Sequence, residues 1–213
     1  MRPEVVRLDE YMPSPAPRAK AVVSLAQLRE QLKPPHRPTR LPMGSEGLEA
    51  WLGGWPQPGV VEIAGSLGSG RLSPVLPALR RLQEQGRPLA LVDPLARLFP
   101  PGLGLERCLL LRPPSAQAAW TAEQLLRSGA LDAVLLVDGG RLGKAGPRLL
   151  RAAEAGRCTL WILSEQPEAE LPATLRLEAR GWLGDGRLRL HCSRGRGGAE
   201  GERWLPPEVL SGG

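Results

Sequence analysis

The stretch Val60-Val61-Glu62-Ile63-Ala64-Gly65-Ser66-Leu67-Gly68-Ser69-Gly70-Arg71-Leu72-Ser73 constrains this chain more than any other. A short β-branched run feeds a loop holding Gly65, Gly68 and Gly70, and the loop opens into a helical pattern. That order gathers backbone N–H groups and a helix N-terminus around one point, an arrangement suited to an anion. Laid against G-x-x-x-x-G-K-[ST], both framing glycines are present as Gly65 and Gly70. Arg71 fills the lysine position and keeps a positive charge as a planar fork. Leu72 fills the Ser/Thr position and has no oxygen to offer Mg²⁺. The candidate contacts of this phosphate loop are Gly65, Gly68, Ser69, Gly70, Arg71 and Ser73.

Further along, Pro88 to Asp93, Leu109 to Leu111, Ala133 to Val137 and Thr159 to Leu163 read as buried strands. Between them lie helical patterns. Ser73 and Pro74 look like an N-cap and first-turn pair ahead of Val75, Leu76, Leu79 and Leu82. Pro113-Pro114-Ser115 starts a second helix whose Ala118, Ala122 and Leu125 share a face, and Arg148 to Ala155 forms a third. Strands alternating with helices argue a mainly parallel α/β sheet flanked by helices. Near the end, Leu175, Leu177 and Ala179 alternate with charged residues, and so do Leu188, Leu190 and Cys192 beyond Gly184-Asp185-Gly186, which predicts a C-terminal antiparallel hairpin with one wet face. The domain is expected over 43–198, starting at the helical face of Leu48, Trp51 and Leu52 that Gly53-Gly54 ends. A proline-rich arm precedes it over 1–42, with a short amphipathic helix marked by Val22, Leu25, Leu28 and Leu32. A loose tail follows over 199–213. Trp120 and Trp161 fall in elements expected to be buried, whereas Trp55, Trp182 and Trp204 sit in or near loops where they could anchor an interface.

Composition narrows the function classes. The formal net charge is +6, which fits nucleic acid, an acidic protein partner or simply an arginine-rich solvated surface. Cys108, Cys158 and Cys192 are odd in number and lack C-x-x-C spacing, so neither a disulfide framework nor a zinc site is expected, and a reducing cytoplasm fits best. With only His36 and His191, a Ser/His/Asp triad or histidine metal site is not expected. The N-terminus is interrupted by Pro3, Glu4, Asp9 and Glu10, and no run of 18 or more apolar residues occurs, so neither a signal peptide nor a membrane span is expected. Asp138, closing the apolar strand downstream of the glycine loop, sits where phosphate-loop proteins keep the acid that orders the Mg²⁺ shell.

These motifs carry a resemblance. Gly53-Gly54-Trp55-Pro56-Gln57-Pro58-Gly59-Val60-Val61-Glu62-Ile63 resembles the glycine-rich approach to the phosphate loop in RecA-type recombinases. Leu109 to Asp138, with Pro113-Pro114, Glu123-Gln124 and Arg127-Ser128-Gly129-Ala130, is similar to the segment leading to the acid strand of that family. Thr159 to Gln166 resembles the strand that carries its glutamine sensor, with Gln166 in place. The resemblance covers roughly Pro42 to Gly198. Small size, a proline-rich front and a degenerate loop are most similar to the ImuA family, RecA-superfamily accessory proteins encoded beside a polymerase-like partner in bacterial mutagenic translesion cassettes.

The resemblance implies a RecA-like core and a cytoplasmic, non-catalytic adaptor in SOS-type, damage-induced mutagenesis. Its implied partner is an ImuB-type translesion polymerase-like protein. DNA or a recombinase are further candidate partners, and the short N-terminal helix, marginal alone, could pack on its own domain or serve self-association or partner binding. Departures from a working recombinase point the same way. In Asp93-Pro94-Leu95-Ala96, Leu95 fills the position of the water-activating glutamate, so no residue is assigned to catalysis and no cofactor is required. The loop amides and Arg71, with Asp138, could hold ATP without turning it over, or the loop could serve only as a turn. The segments matching the two DNA-holding loops of recombinases are short: Gly139 to Pro147, with Arg141 and Lys144, and the acidic Pro167 to Leu171, which has no aromatic platform for bases. Arg187, Arg189, Arg194 and Arg196 form the candidate edge for DNA or a partner, or a solvated face. Two rivals remain: a RecA-like DNA-dependent ATPase in which Ser73 supplies the metal ligand and Arg71 replaces the lysine, and a DNA-binding module.

Overall fold

Runs of residues with no water-facing side become the inner strands. In a computed structural model, which describes residues 40–195 and 199–208, β3 (Gly59–Ala64), β4 (Leu89–Val92) and β6 (Ala133–Val137) are buried along their whole length. β7 (Thr159–Ser164) is buried up to its last residue, and β5 (Leu109–Leu111) closes the edge. They pair in parallel, with Val60 opposite Leu160, Leu135 opposite Trp161 and Leu91 opposite Leu135. The sheet has eight strands in the order β10 (Gly201–Leu205), β9 (Leu188–Arg194), β8 (Leu175–Trp182), β3, β7, β6, β4, β5. The mainly parallel α/β architecture read from the sequence is therefore the fold.

Helices cover the two faces because alternate strand residues face opposite sides. On one face α1 (Glu46–Leu52) and α2 (Leu76–Glu84) pack over Val61, Ile63, Leu91 and Trp161. On the other, α3 (Ser115–Arg127) and α4 (Gly146–Gly156) pack over Val60, Val92, Leu136 and Leu160. Ser45 caps α1 by accepting from the Leu48 amide at 3.4 Å, and Gly53 ends it at a φ of 68°. Helices α3 and α4 approach so closely at Gly156 that a Cβ there would overlap the Leu126 carbonyl oxygen.

Several expectations change. Helix α2 begins at Leu76, not at Ser73, because the chain continues in tight turns after the loop and the Ser73 amide donates to the Gly70 carbonyl at 3.0 Å. Trp120 is 57% exposed. It lies two residues, about 200° of helix, from the buried Ala118, so the face that buries Ala118, Ala122 and Leu126 turns Trp120 outward. Trp55, read as a loop residue free to anchor an interface, is fully buried and meets Trp161 edge-on with ring centroids 5.7 Å apart. Trp161 is core, as expected, and Trp182 and Trp204 are partly exposed.

Regular structure also begins before residue 43 and continues past 198. β1 (Arg40–Leu41) pairs with β2 (Trp55–Pro56). The predicted hairpin forms as β8 (Leu175–Trp182) and β9 (Leu188–Arg194), with β8 parallel to β3. Beyond it, Gly201–Leu205 is a strand, β10, paired with β9, where a loose tail was expected. Its sequence hides this, because only Leu205 is buried and the strand is held by backbone pairing and by Glu202, whose carboxylate takes Arg189 and Arg180. The amphipathic pattern at Val22 to Leu32, the rest of the arm to residue 39, and Arg196 lie outside the described residues. No helix among the described residues is long and apolar enough to cross a membrane.

Candidate functional site

Parallel strands deliver their carboxyl ends to one side of the sheet, and the loop after β3 rises there beside the ends of β4, β6 and β7. The structure brings Gly65, Gly68, Ser69, Gly70, Arg71, Ser73 and Asp138 to this one place. Gly70 adopts a φ of 88°, and a side chain there would strike Leu188 and the Trp182 indole, so only glycine fits under the hairpin. At Gly65 a Cβ would overlap the Ser69 hydroxyl, which is folded back over it. That hydroxyl is buried and has no hydrogen-bond partner among the described residues. The Ser69 amide donates to the Ser66 carbonyl at 3.0 Å, whereas the amides of Gly68, Gly70, Arg71 and Leu72 have no acceptor among the described residues.

Charge gathers around Asp138. Arg71, 6% exposed, turns inward, donating to the Gly65 carbonyl at 3.1 Å and to Asp138 Oδ2 at 2.6 Å. Arg97 reaches the same oxygen at 2.6 Å and Glu165 at 3.4 Å. The Asp138 charge above all, with hydrogen bonds to Asp138 and Glu165, raises the Arg97 guanidinium above its ordinary value against the opposing effect of burial. The fully buried Asp93 aims Arg97: its two carboxylate oxygens accept from the amides of Arg97 at 3.0 Å and Leu98 at 2.8 Å, curling the chain after β4 toward β6. Asp138 itself sits at a φ of 47°. Leu95, which the resemblance sets where recombinases carry the water-activating glutamate, is on the lip of a cleft of about 710 Å³ that Asp138, Arg97, Glu165 and Gln166 also line. Among the described residues no cluster of His, Cys, Asp or Glu is built to hold a metal.

A second network ties the flanking loops together. Glu62 is fully buried in β3 and accepts from Arg176 Nε of β8 and from the Glu168 amide at 2.7 Å. Arg176 also donates to the carbonyls of Glu168 and Leu171, at 2.6 and 3.2 Å. The Glu168 carboxylate then accepts from the amides of Leu142 and Gly143 at 2.9 and 3.1 Å. The two segments that resemble DNA-holding loops are thus bonded to one another.

The basic edge is not a row of free charges. Arg187 lies in the turn before β9 and pairs with Asp185 at 2.7 Å. Arg189 pairs with Glu202 at 2.6 Å and lies 5.2 Å from the Trp204 ring centroid, and Arg194 ends β9 opposite Arg176. The carboxylates come from the turn and from β10, so the acid-free spacing of these arginines in sequence did not show them. Arg97, Glu165, Glu62, Arg176 and Glu168 were not singled out from sequence. The one available signal was Glu62, a charge inside the apolar run Val60 to Ala64.

Against known proteins, no protein-family profile matches the chain. The chain is 35% identical to protein RecA of Bacillus licheniformis over 121 residues, 53% of this chain and 34% of that protein. It is 32% identical to protein RecA of Kineococcus radiotolerans over 146 residues, 59% of this chain and 41% of that one. RecA-family similarity therefore runs over about half the chain, which spans 34 to 41% of the length of these relatives. Among solved structures, the crystal structure of the RadB recombinase superposes with a TM-score of 0.62 at 18% identity, covering 77% of this chain and 94% of that one. That likeness establishes a RecA/RadB-like fold.

Proposed function

We propose that this protein is a non-catalytic RecA-fold adaptor of the ImuA type, which docks an ImuB-type polymerase-like partner in damage-induced mutagenic translesion synthesis. One observation carries the non-catalytic part of the reading: Asp138 Oδ2 is bonded at 2.6 Å by both Arg71 and Arg97. Phosphoryl transfer to water needs a positioned metal and an oriented nucleophile. Mg²⁺ does not fit here, because Leu72 offers no oxygen and Asp138 already faces two guanidinium groups. Water activation is missing too, since Leu95 carries no base. The adaptor role itself is supported by the resemblance and by what remains once hydrolysis is gone: a rigid RecA-like frame with partly exposed Trp182 and Trp204.

The reading is tested by two measurements on the full chain. Phosphate release from ATP should stay at background with and without single-stranded DNA, and the chain should co-purify with its polymerase-like partner. DNA-stimulated turnover that disappears in Arg71→Ala would favour the ATPase rival, and failure to form the complex would remove the adaptor role. Partnering of Arg187 and Arg189 by carboxylates argues against the DNA-binding module. A steep loss of DNA affinity with salt that Arg187→Ala/Arg189→Ala flattens would restore it.

A further inference from the structure

Two facts about the loop pull in opposite directions. Its backbone still offers donors: the amides of Gly68, Gly70, Arg71 and Leu72 have no acceptor among the described residues, and the buried Ser69 hydroxyl beside them has none either. A buried hydroxyl left without a partner costs free energy, so the Ser69 hydroxyl, set among loop amides that are free to donate, points to a ligand that accepts hydrogen bonds. Yet the carboxylate that would order a metal is taken up by two arginines, one of which, Arg97, is steered there by Asp93.

We infer that this loop binds a phosphate-chain anion without a divalent metal, with the Arg71 and Arg97 guanidinium groups supplying the positive charge that Mg²⁺ supplies elsewhere. The inference deepens the reading of the loop as non-catalytic and rests on it. The donor set is consistent in its chemistry. Guanidinium forks and backbone amides bind phosphate oxygens directly, whereas a metal-chelated phosphate chain brings a cation toward two fixed cations. Asp138 has changed its task as well, from holding a metal to orienting arginines, and its negative charge now opposes the ligand.

That reversal makes the test sharp. Inorganic tripolyphosphate is titrated into the full chain in EDTA and again with excess Mg²⁺, by calorimetry and by the fluorescence of Trp182, whose indole lies against Gly70. ATP is run in parallel, to separate the phosphate chain from the nucleoside. Saturable binding is expected in EDTA, weakened about tenfold by Mg²⁺. Asp138→Asn should tighten metal-free binding about tenfold, the reverse of what a metal-dependent site would show, and Arg97→Gln should weaken it about tenfold. Arg97 is 29% exposed in its side chain, so its replacement leaves the fold intact if Asp138→Asn does not. No binding in EDTA, binding that requires Mg²⁺, or a weaker or unchanged Asp138→Asn overturns the inference. ATP turnover would overturn the non-catalytic reading separately, because the EDTA titration reports the metal requirement whether or not hydrolysis occurs.

Discussion

Replacing Arg176 by Met strips the positive partner from a carboxylate that no water reaches. Glu62 is 0% exposed, and the Arg176 side chain that pairs with it is 15% exposed. Breaking such a pair from one side leaves an uncompensated buried charge, which costs about 3–5 kcal/mol. Arg176 also serves the carbonyls of Glu168 and Leu171, so the loss should fall in the upper part of that range. For a domain of this size each kcal/mol moves the melting temperature by about 2–4 °C, so Arg176→Met should melt about 10 °C or more below the parent. The assay is urea and thermal unfolding of four proteins: parent, Arg176→Met, Glu62→Gln and the double variant. Glu62→Gln keeps the Oε1 acceptor for the Glu168 amide, so the double variant should recover most of what Arg176→Met loses. A loss under about 1 kcal/mol, or a double variant no better than Arg176→Met, would refute the argument that the pair acts as a buried unit.

Other consequences are as open to measurement. Gly156→Ala drives a Cβ into the Leu126 carbonyl oxygen and should cost about 3 kcal/mol by forcing α3 and α4 apart, read by denaturant unfolding. Glu168→Ala frees the amides of Leu142 and Gly143, whose hydrogen exchange should accelerate at least about tenfold without change in the core strands. Arg189 first, and Arg180 with it, hold the Glu202 carboxyl below its ordinary range. A lowered folded-state pKa stabilises above the unfolded value and stops doing so as pH falls through the folded value. Exchange protection of β10 should therefore fade on acidification below about pH 4, and Glu202→Gln should abolish that pH dependence; a pH-dependent β10 in Glu202→Gln would sink the assignment.

The sequence revealed what local chemistry decides. Val60 to Ala64, Ala133 to Val137 and Thr159 to Leu163 could only be inner strands, and Gly65, Gly70 and Asp138 met at one end of the sheet because parallel strands bring their carboxyl ends together. What it hid was set by partners far along the chain. The loop's electrostatics depend on Arg97, which nothing in Pro94 to Phe99 marks, because its direction comes from Asp93 accepting two amides. Glu202 neutralises Arg189 from a strand whose exposed alternation gives no apolar pattern. Trp120 was misread by residue type, although the spacing of Ala118 and Ala122 already turned it outward.

The place of β3 in the sheet has a consequence for how the protein is made. Its two neighbours, β7 and β8, pair Val60 with Leu160 and Val61 with Leu175, so the strand that bears the loop leaves the ribosome early and waits with both edges bare. A nascent chain halted before Leu175 still exposes one side of the buried strand that carries the loop, an invitation to pair with a stranger. The hairpin that synthesis delivers late is what shuts that edge.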